Sequence, residues 1–339
     1  MEQMSFRGTI VLILATVLVL SAAVQKGKKK SDEEPVTQTL PLLKDPPSAV
    51  AAETARLAFQ VSPLSNKGLL SQQVRDALKA LLRDTHGATI VKLRAFVAGS
   101  GDMRRVSTIV SETFTERKLA LPAVSTIEVG ALPMEGAQVV IESIAVDKRT
   151  LNPNGVAFYS AQPVKQLHPM AGALKATCFL SSLDDLAKVK AAVSAAFSGA
   201  AVNFVQSQRL GFEPADVCES AVRLDAPPAQ PVVIGNGAAQ VNAPKIVLTG
   251  TQMAFRDTDA DLRLAFERLR KALEPFGVTY KEVFWASAYP LTRPVEQKVR
   301  AMQQEFFNHA KPPAGTLLLF EGLPSLDATM AIDVIAAAK

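Results

Sequence analysis

Apolar and polar positions along this chain switch between two periods, in the same order, three times. Val91-Lys92-Leu93-Arg94-Ala95-Phe96-Val97 is an apolar, partly alternating run suited to a buried strand. A helical stretch with Val106, Ile109, Val110 and Phe114 on one stripe follows it. Leu174-Lys175-Ala176-Thr177-Cys178-Phe179-Leu180 repeats the strand, and Leu186, Val189, Val193 and Phe197 repeat the helix. Phe284-Trp285-Ala286-Ser287-Ala288-Tyr289-Pro290 is the third instance, followed by Val295, Val299, Met302 and Phe306 at helical spacing. Phe96 and Phe114 are 18 residues apart, as are Phe179 and Phe197, and Tyr289 and Phe307. Period 2 followed by period 3.6 at a fixed offset is the mark of a repeated unit.

Each helix leads into a predicted strand pair: Ala123–Leu132 with Gln138–Val146, Ala201–Leu210 with Asp216–Leu224, and Gly315–Leu323 with Ala328–Ala336. Ahead of the repeat, Arg56–Pro63 and Lys245–Phe255 read as strands, and Leu69–Arg83 and Asp259–Phe276 as helices. The middle copy is shorter. Thirty residues lie between Gln252 and Val283, enough for a helix, but only eleven (163–173) between Gln162 and Leu174. The middle unit is therefore expected to lack its first helix. Its uncovered sheet face needs a cover, for which Pro35–Val50, the connection Asp225–Val241 and a partner protein are the candidates; Asp225–Val241, with Val232, Val233 and Ile234, is the expected one.

The first 47 residues follow another pattern. Gly8–Val24 is a charge-free apolar run of 17 residues behind Arg7, between a signal-peptide core and a full membrane span in length. Lysines 26, 28, 29 and 30 favour an anchor with the body in the cytoplasm, whereas Ser21-Ala22-Ala23 offers a cleavage site for export to the periplasm or exterior. Both readings stay open. Residues 25–47, with a lysine run, Asp32-Glu33-Glu34-Pro35 and Asp45-Pro46-Pro47, read as a linker. The boundaries expected are 1–24 (signal peptide or anchor), 25–47 (linker), 48–150, 151–228 (the truncated unit) and 229–339.

Composition narrows the function. The 339 residues are 48% hydrophobic and 20% charged, and the net charge is +5. Residues 1–47 hold six Lys/Arg against five Asp/Glu, so +4 of that lies on the body, dispersed and without interleaved aromatics. No nucleic-acid partner is expected from this. Two cysteines, Cys178 and Cys218, are too few for a disulfide framework or a cysteine zinc site and read as inert buried thiols. Three scattered histidines offer no ligand spacing, so no metal and no cofactor is expected.

Pro122-Ala123-Val124-Ser125, followed by an alternating strand, resembles the Pro-Ala-Arg-Ser signature of the RidA (YjgF) family. Gln138–Val146 resembles the family's closing strand, including its glutamate at Glu142. Ser160-Ala161-Gln162, and more weakly Gly250-Thr251-Gln252, look like the Ser-Gly-Gln turn that opens the family's pocket. The resemblance spans about residues 52–337 and implies an α+β fold of tandem chorismate-mutase-like units. The family assembles as a trimer with ligand clefts between neighbours, so three units in one chain imply an intrachain pseudo-trimer and a monomeric protein. Tethering replaces association entropy with a chain connection.

In the family's deaminases the signature arginine grips a carboxylate through its planar fork, and the closing-strand glutamate helps position water. Here the arginine positions hold Val124, Val202 and Gly315, while Glu142, Glu219 and Asp333 keep the acidic one. An acid without its arginine favours a neutral or cationic small-molecule ligand, or none. Glu142, Glu219, Asp333, Ser160, Gln162 and Gln252 are the candidate ligand-binding residues, with Tyr159 beside the turn; Trp285 and Tyr289 read as core or interface aromatics, and Arg104 and Arg105 as a solvated helix face. The function expected is binding of a small molecule or partner at inter-unit clefts. An imine deaminase with altered residues and an L-PSP-type endoribonuclease are the alternatives.

Overall fold

The computed structural model describes residues 42–209 and 216–338. The apolar run 8–24 and most of the linker lie outside the described residues. Among those described, no helix is long and apolar enough to cross a membrane.

The described residues from 43 onward form one compact body. Its first strand is β1 (Ala49–Ala52); unit one proper is β2 (Leu57–Val61), α1 (Leu70–Asp84), β3 (Thr89–Ala98), α2 (Arg104–Glu116), β4 (Ala123–Val129) and β5 (Val139–Val146). Unit two is β6 (Val156–Pro163), β7 (Ala173–Leu180), α3 (Leu186–Ala196), β8 (Ala201–Gln206) and β9 (Val217–Arg223). A hairpin of β10 (Val232–Gly235) and β11 (Ala238–Val241) leads to unit three: β12 (Lys245–Thr249), β13 (Gln252–Phe255), α4 (Asp259–Leu273), β14 (Val283–Pro290), α5 (Arg293–Phe306), β15 (Ala314–Leu317) and β16 (Ala328–Ala338).

The three sheets share one core order. It reads β2-β5-β3-β4 in unit one, β6-β9-β7-β8 in unit two, and β12-β16-β14-β15 in unit three, with β13 also on β16. In each, the last two strands of the order run parallel and the others antiparallel. Register repeats as well: Arg94, Thr177 and Ser287 lie opposite Glu142, Glu219 and Asp333, and also opposite Ser125, Asn203 and Thr316. The boundaries drawn from sequence are not those of the sheets, because leaders are exchanged. β1, leading into unit one, pairs antiparallel with β12 of unit three. The β10–β11 hairpin, leading into unit three, extends unit two through β6. Gly155 permits this: at φ +97° it sits where any Cβ would lie 2.1 Å from the Val241 carbonyl.

One face of each sheet is covered by its own helices. Leu70, Val74, Leu78 and Leu81 of α1 meet Val106, Ile109 and Phe114 of α2 over unit one, and Leu262, Phe266 and Leu269 of α4 meet Val295, Val299 and Met302 of α5 over unit three. Thr258 caps α4 by accepting from the Asp261 amide, with acids in its first turn and Arg270 and Lys271 in its last, the arrangement that suits the helix dipole. Among the described residues unit two has α3 as its one α-helix, and a 3-10 turn, Val164–Gln166, stands between β6 and β7.

Two expectations about unit two need correction. Its helix-side face is covered by Val164, Leu167 and Met170 of its own shortened loop, packed on Val189, Val193 and Phe197. The Asp225–Val241 connection instead adds strands at the β6 edge, and Val232 and Ile234 turn into a core shared by the units. Cys178 and Cys218 are not thiols: they form a disulfide across β7 and β9. They are direct cross-strand partners in register, which places two sulfurs within bonding reach without a framework of further cysteines.

The other sheet faces meet one another. One shared cluster holds Leu57, Phe158, Leu248, Phe284 and Trp285; a second holds Phe96, Phe179, Tyr289 and Phe320. Phe96 packs edge-on to Phe179 at 5.9 Å, Phe179 to Phe320 at 5.7 Å, and Phe320 to Tyr289 at 5.2 Å between ring centroids. The strand-end aromatics of the repeat therefore converge across units, while Phe114, Phe197 and Phe307 stay within their own. Because β3 and β14 are covered on both faces, their sequences read as nearly continuous apolar runs.

Candidate functional site

Between the two shared apolar clusters lies a polar layer built by alternation along three equivalent strands. Lys92, Arg94 and Phe96 face inward from β3, Lys175, Thr177 and Phe179 from β7, and Trp285, Ser287 and Tyr289 from β14. Glu142, Glu219 and Asp333 enter the same layer from β5, β9 and β16.

Arg94 is its hub. Its Nε and Nη2 donate to Glu142 Oε2 at 2.9 and 2.7 Å, and Nη2 also donates to Glu219 and, at 3.1 Å, to Thr177 Oγ1. The guanidinium carbon sits 5.0 Å from the Phe96 ring centre and 5.9 Å from that of Phe179. Glu142 Oε1 accepts from Thr177 Oγ1 at 2.7 Å and Asn203 Nδ2 at 2.9 Å, and the Lys175 ammonium lies 2.5 Å from Oε2. Glu219 accepts from Thr316 Oγ1 at 2.6 Å. Asp333 accepts from Ser125 Oγ at 2.5 Å and lies 3.2 Å from Lys92 Nζ, which also donates to Ser125 and to the Thr249 carbonyl.

Each acid thus binds groups from another unit. Three cations face three carboxylates, so the layer is formally neutral, and every member is held by hydrogen bonds. Burial pushes the Glu142 carboxyl up, but Arg94 and Lys175 outweigh it and hold the group at about 2. Desolvation lowers the Lys92 and Lys175 ammoniums, and burial pushes the Tyr289 phenol up. The expectation that these acids lack a cationic partner is corrected: the partner comes from β3 and β7, not from the signature position. Lys92 and Arg94 were visible in the sequence as two cations at i, i+2 within an apolar strand, a spacing that puts both on one face, and Lys175 repeats Lys92.

The remaining candidates lie elsewhere. Ser160 Oγ accepts from the Gly315 amide at 2.9 Å, so unit two's turn touches unit three's arginine position. Both line a cleft of about 510 Å3 with Arg300, Gln303, Asn308 and His309. A Cβ at Gly315 would lie 1.8 Å from the Ala286 carbonyl, so β15 admits no side chain there without moving. At the next junction the Thr251 amide donates to the Val124 carbonyl at 3.2 Å, which pairs unit three's turn with unit one's arginine position. Val124 and Val202 pack partly buried against the helix-side clusters of their own units. Gln252 opens into a separate groove beside Arg268 and Lys271. Gln162 lies on β6 opposite Cys218, and neighbouring Tyr159 pairs with Ala238 of the added hairpin.

A family model described as endoribonuclease L-PSP matches residues 62–147, nearly all of unit one. Unit one is the part of the chain that is similar to this family. No curated protein matches the chain. Among solved structures, Rv2704 of Mycobacterium tuberculosis, a YjgF/YER057c/UK114 member, is 19% identical, with 27% of this chain covering 79% of that one at a TM-score of 0.26. The Rid protein YyfA of Yersinia pestis is 17% identical over 33% of this chain and 88% of its own, at 0.26. A chorismatase is 10% identical over 86% of this chain and 77% of its own, at 0.44. The α+β architecture of tandem RidA-like units agrees with that implied by the sequence resemblance.

Proposed function

We propose that this is a non-catalytic RidA-like protein that binds a small uncharged molecule in the cleft between units two and three. The observation that carries the reading is the state of the two groups a deaminase needs. Gly315 leaves no room for an anion-gripping arginine, and the closing-strand acids are already bonded within the central layer. What remains in the cleft is mostly neutral polar surface: Ser160, Gln303, Gln304 and Asn308, with Arg300 bonded to Glu296 at 2.8 Å. Its volume falls within the range usual for small-molecule sites. We further infer that one chain closes the three units into a monomeric pseudo-threefold ring, since each unit's acid is held by a neighbour.

We also infer that the body lies outside the reducing cytoplasm. A buried disulfide in a two-cysteine chain supports export behind the apolar N-terminal run over a cytoplasmic body. The deciding test is hydrolysis of 2-aminoacrylate-type imines by the full chain. No acceleration over background is expected. Turnover that vanishes in Glu142→Gln or Glu219→Gln would make the protein a deaminase instead, and cleavage of RNA by the pure protein would make it a ribonuclease.

A further inference from the structure

The central polar layer lines a cavity that the cleft reading does not use. It holds about 60 Å3, room for roughly four to six water-sized groups. Its wall combines the six ionic side chains of the layer, Lys175 among them, with an apolar side that includes Phe59, Phe158 and Trp285. Lys175 differs from the other two cations in how its donors are used. Lys92 has Ser125, Thr249 and Asp333, and Arg94 has Glu142, Glu219 and Thr177. The Lys175 ammonium has one close partner, Glu142, and lies 3.9 Å from Glu219, beyond hydrogen-bond reach. At least one of its three N–H groups is therefore available to an acceptor in the cavity.

Charge restricts that acceptor. With three cations balanced by three carboxylates, an anionic or cationic guest would bring an uncompensated charge into a buried site, which is costly. An uncharged guest brings none. The aromatic wall favours an apolar body, and the volume limits it to a few heavy atoms.

We propose that this cavity is a second binding site, taking a small uncharged molecule whose carbonyl or hydroxyl oxygen accepts from Lys175 while its apolar part rests on Phe59, Phe158 and Trp285. The position is distinct from the cleft, which contains neither Lys175 nor Trp285. Trp285 is also the chain's single tryptophan, so its emission reports the cavity directly.

The experiment is fluorescence quenching of the full-length chain by acrylamide, a neutral amide of five heavy atoms, against iodide and caesium as charged quenchers. Acrylamide should quench with a saturable component, and neither ion should quench appreciably. Lys175→Met should weaken the saturable component at least tenfold while far-UV circular dichroism stays unchanged. If Lys175→Met fails to fold, Ala221→Val, which narrows the same cavity with a small apolar change, should remove saturation instead. Purely linear acrylamide quenching in the wild type, quenching by iodide to the same extent, or saturation untouched by either folded variant would each overturn the proposal. None of these outcomes bears on ligand binding in the cleft, which Trp285 does not line.

Discussion

Units two and three share a strand order and a register but are closed by different means. Unit three lays two helices across its sheet, and Phe266 of α4 stacks on Phe306 of α5 at 4.8 Å while sealing the core beneath. Unit two has room for one helix, and where the other would lie it has a loop with three half-buried side chains and a disulfide pinning β7 to β9. A lost layer of packing has been replaced by a covalent link and by edge strands borrowed from the next unit. Hydrophobic area is the usual source of stability in a domain. Here part of it is exchanged for a constraint on the unfolded chain.

The largest effect should come from the layer both units rely on. Arg94→Met leaves Glu142 and Glu219 buried with one fewer cation, and removing one member of a buried ionic network costs about 3–5 kcal/mol. Chemical denaturation should show a loss in that range. A loss below about 1 kcal/mol would mean water reaches the layer freely. Removing the bond itself, in Cys178→Ala/Cys218→Ala, frees a loop of 40 residues, worth about 4 kcal/mol on the chain-entropy account. Reductant should lower the melting temperature of the wild type and leave the double variant unchanged. Phe266→Ala, the matching lesion in unit three, should cost a comparable 3–5 kcal/mol or so by cavity formation, with no response to reductant.

Acid should loosen the shared layer rather than either unit alone. The Glu142 carboxyl is held at about 2, below its ordinary 4.5, so the stability it contributes is full above pH 4.5. That contribution is lost as pH falls from 4.5 through 2, and the difference corresponds to about 3 kcal/mol. Glu142→Gln should flatten this part of the stability profile. An unchanged slope would show that other carboxylates dominate acid unfolding.

The repeat was legible because it rests on periodicity. The aromatics spaced 18 apart, the strand–helix order and the missing first helix follow from where apolar side chains must face. What escaped was pairing between distant residues. Nothing near Ala49–Ala52 says that it will join β12 two hundred residues on, because any short apolar strand satisfies any open edge. Glu142 was found, but its partner Arg94 was sought at the position of Val124, thirty residues along the chain from the strand that supplies it. The disulfide needed the register of β7 against β9, which no spacing of two cysteines encodes. Ser160 and Gly315 were each singled out by resemblance, yet only the juxtaposition of units two and three makes them one site.

The smallest effect tests how well a loop replaces a helix. Leu167 sits on the α3 side of unit two, partly buried beside Val164 and Met170. A fully buried leucine truncated to alanine costs about 2–5 kcal/mol. A half-exposed one loses less apolar contact and leaves a hollow that water can fill, so Leu167→Ala should cost about 1 kcal/mol. Its effect should also be local. The loop touches unit two's cluster and not the α4–α5 layer, so hydrogen exchange should quicken in α3 and β7 while α4 and α5 keep their protection. Even before mutation, α3 amides should exchange faster than those of α5, because among the described residues α3 has no second α-helix beside it in its own unit. If α3 is as protected as α5, and Leu167→Ala slackens both alike, then the loop and disulfide match a helix in full and unit two does not open separately from the rest of the body.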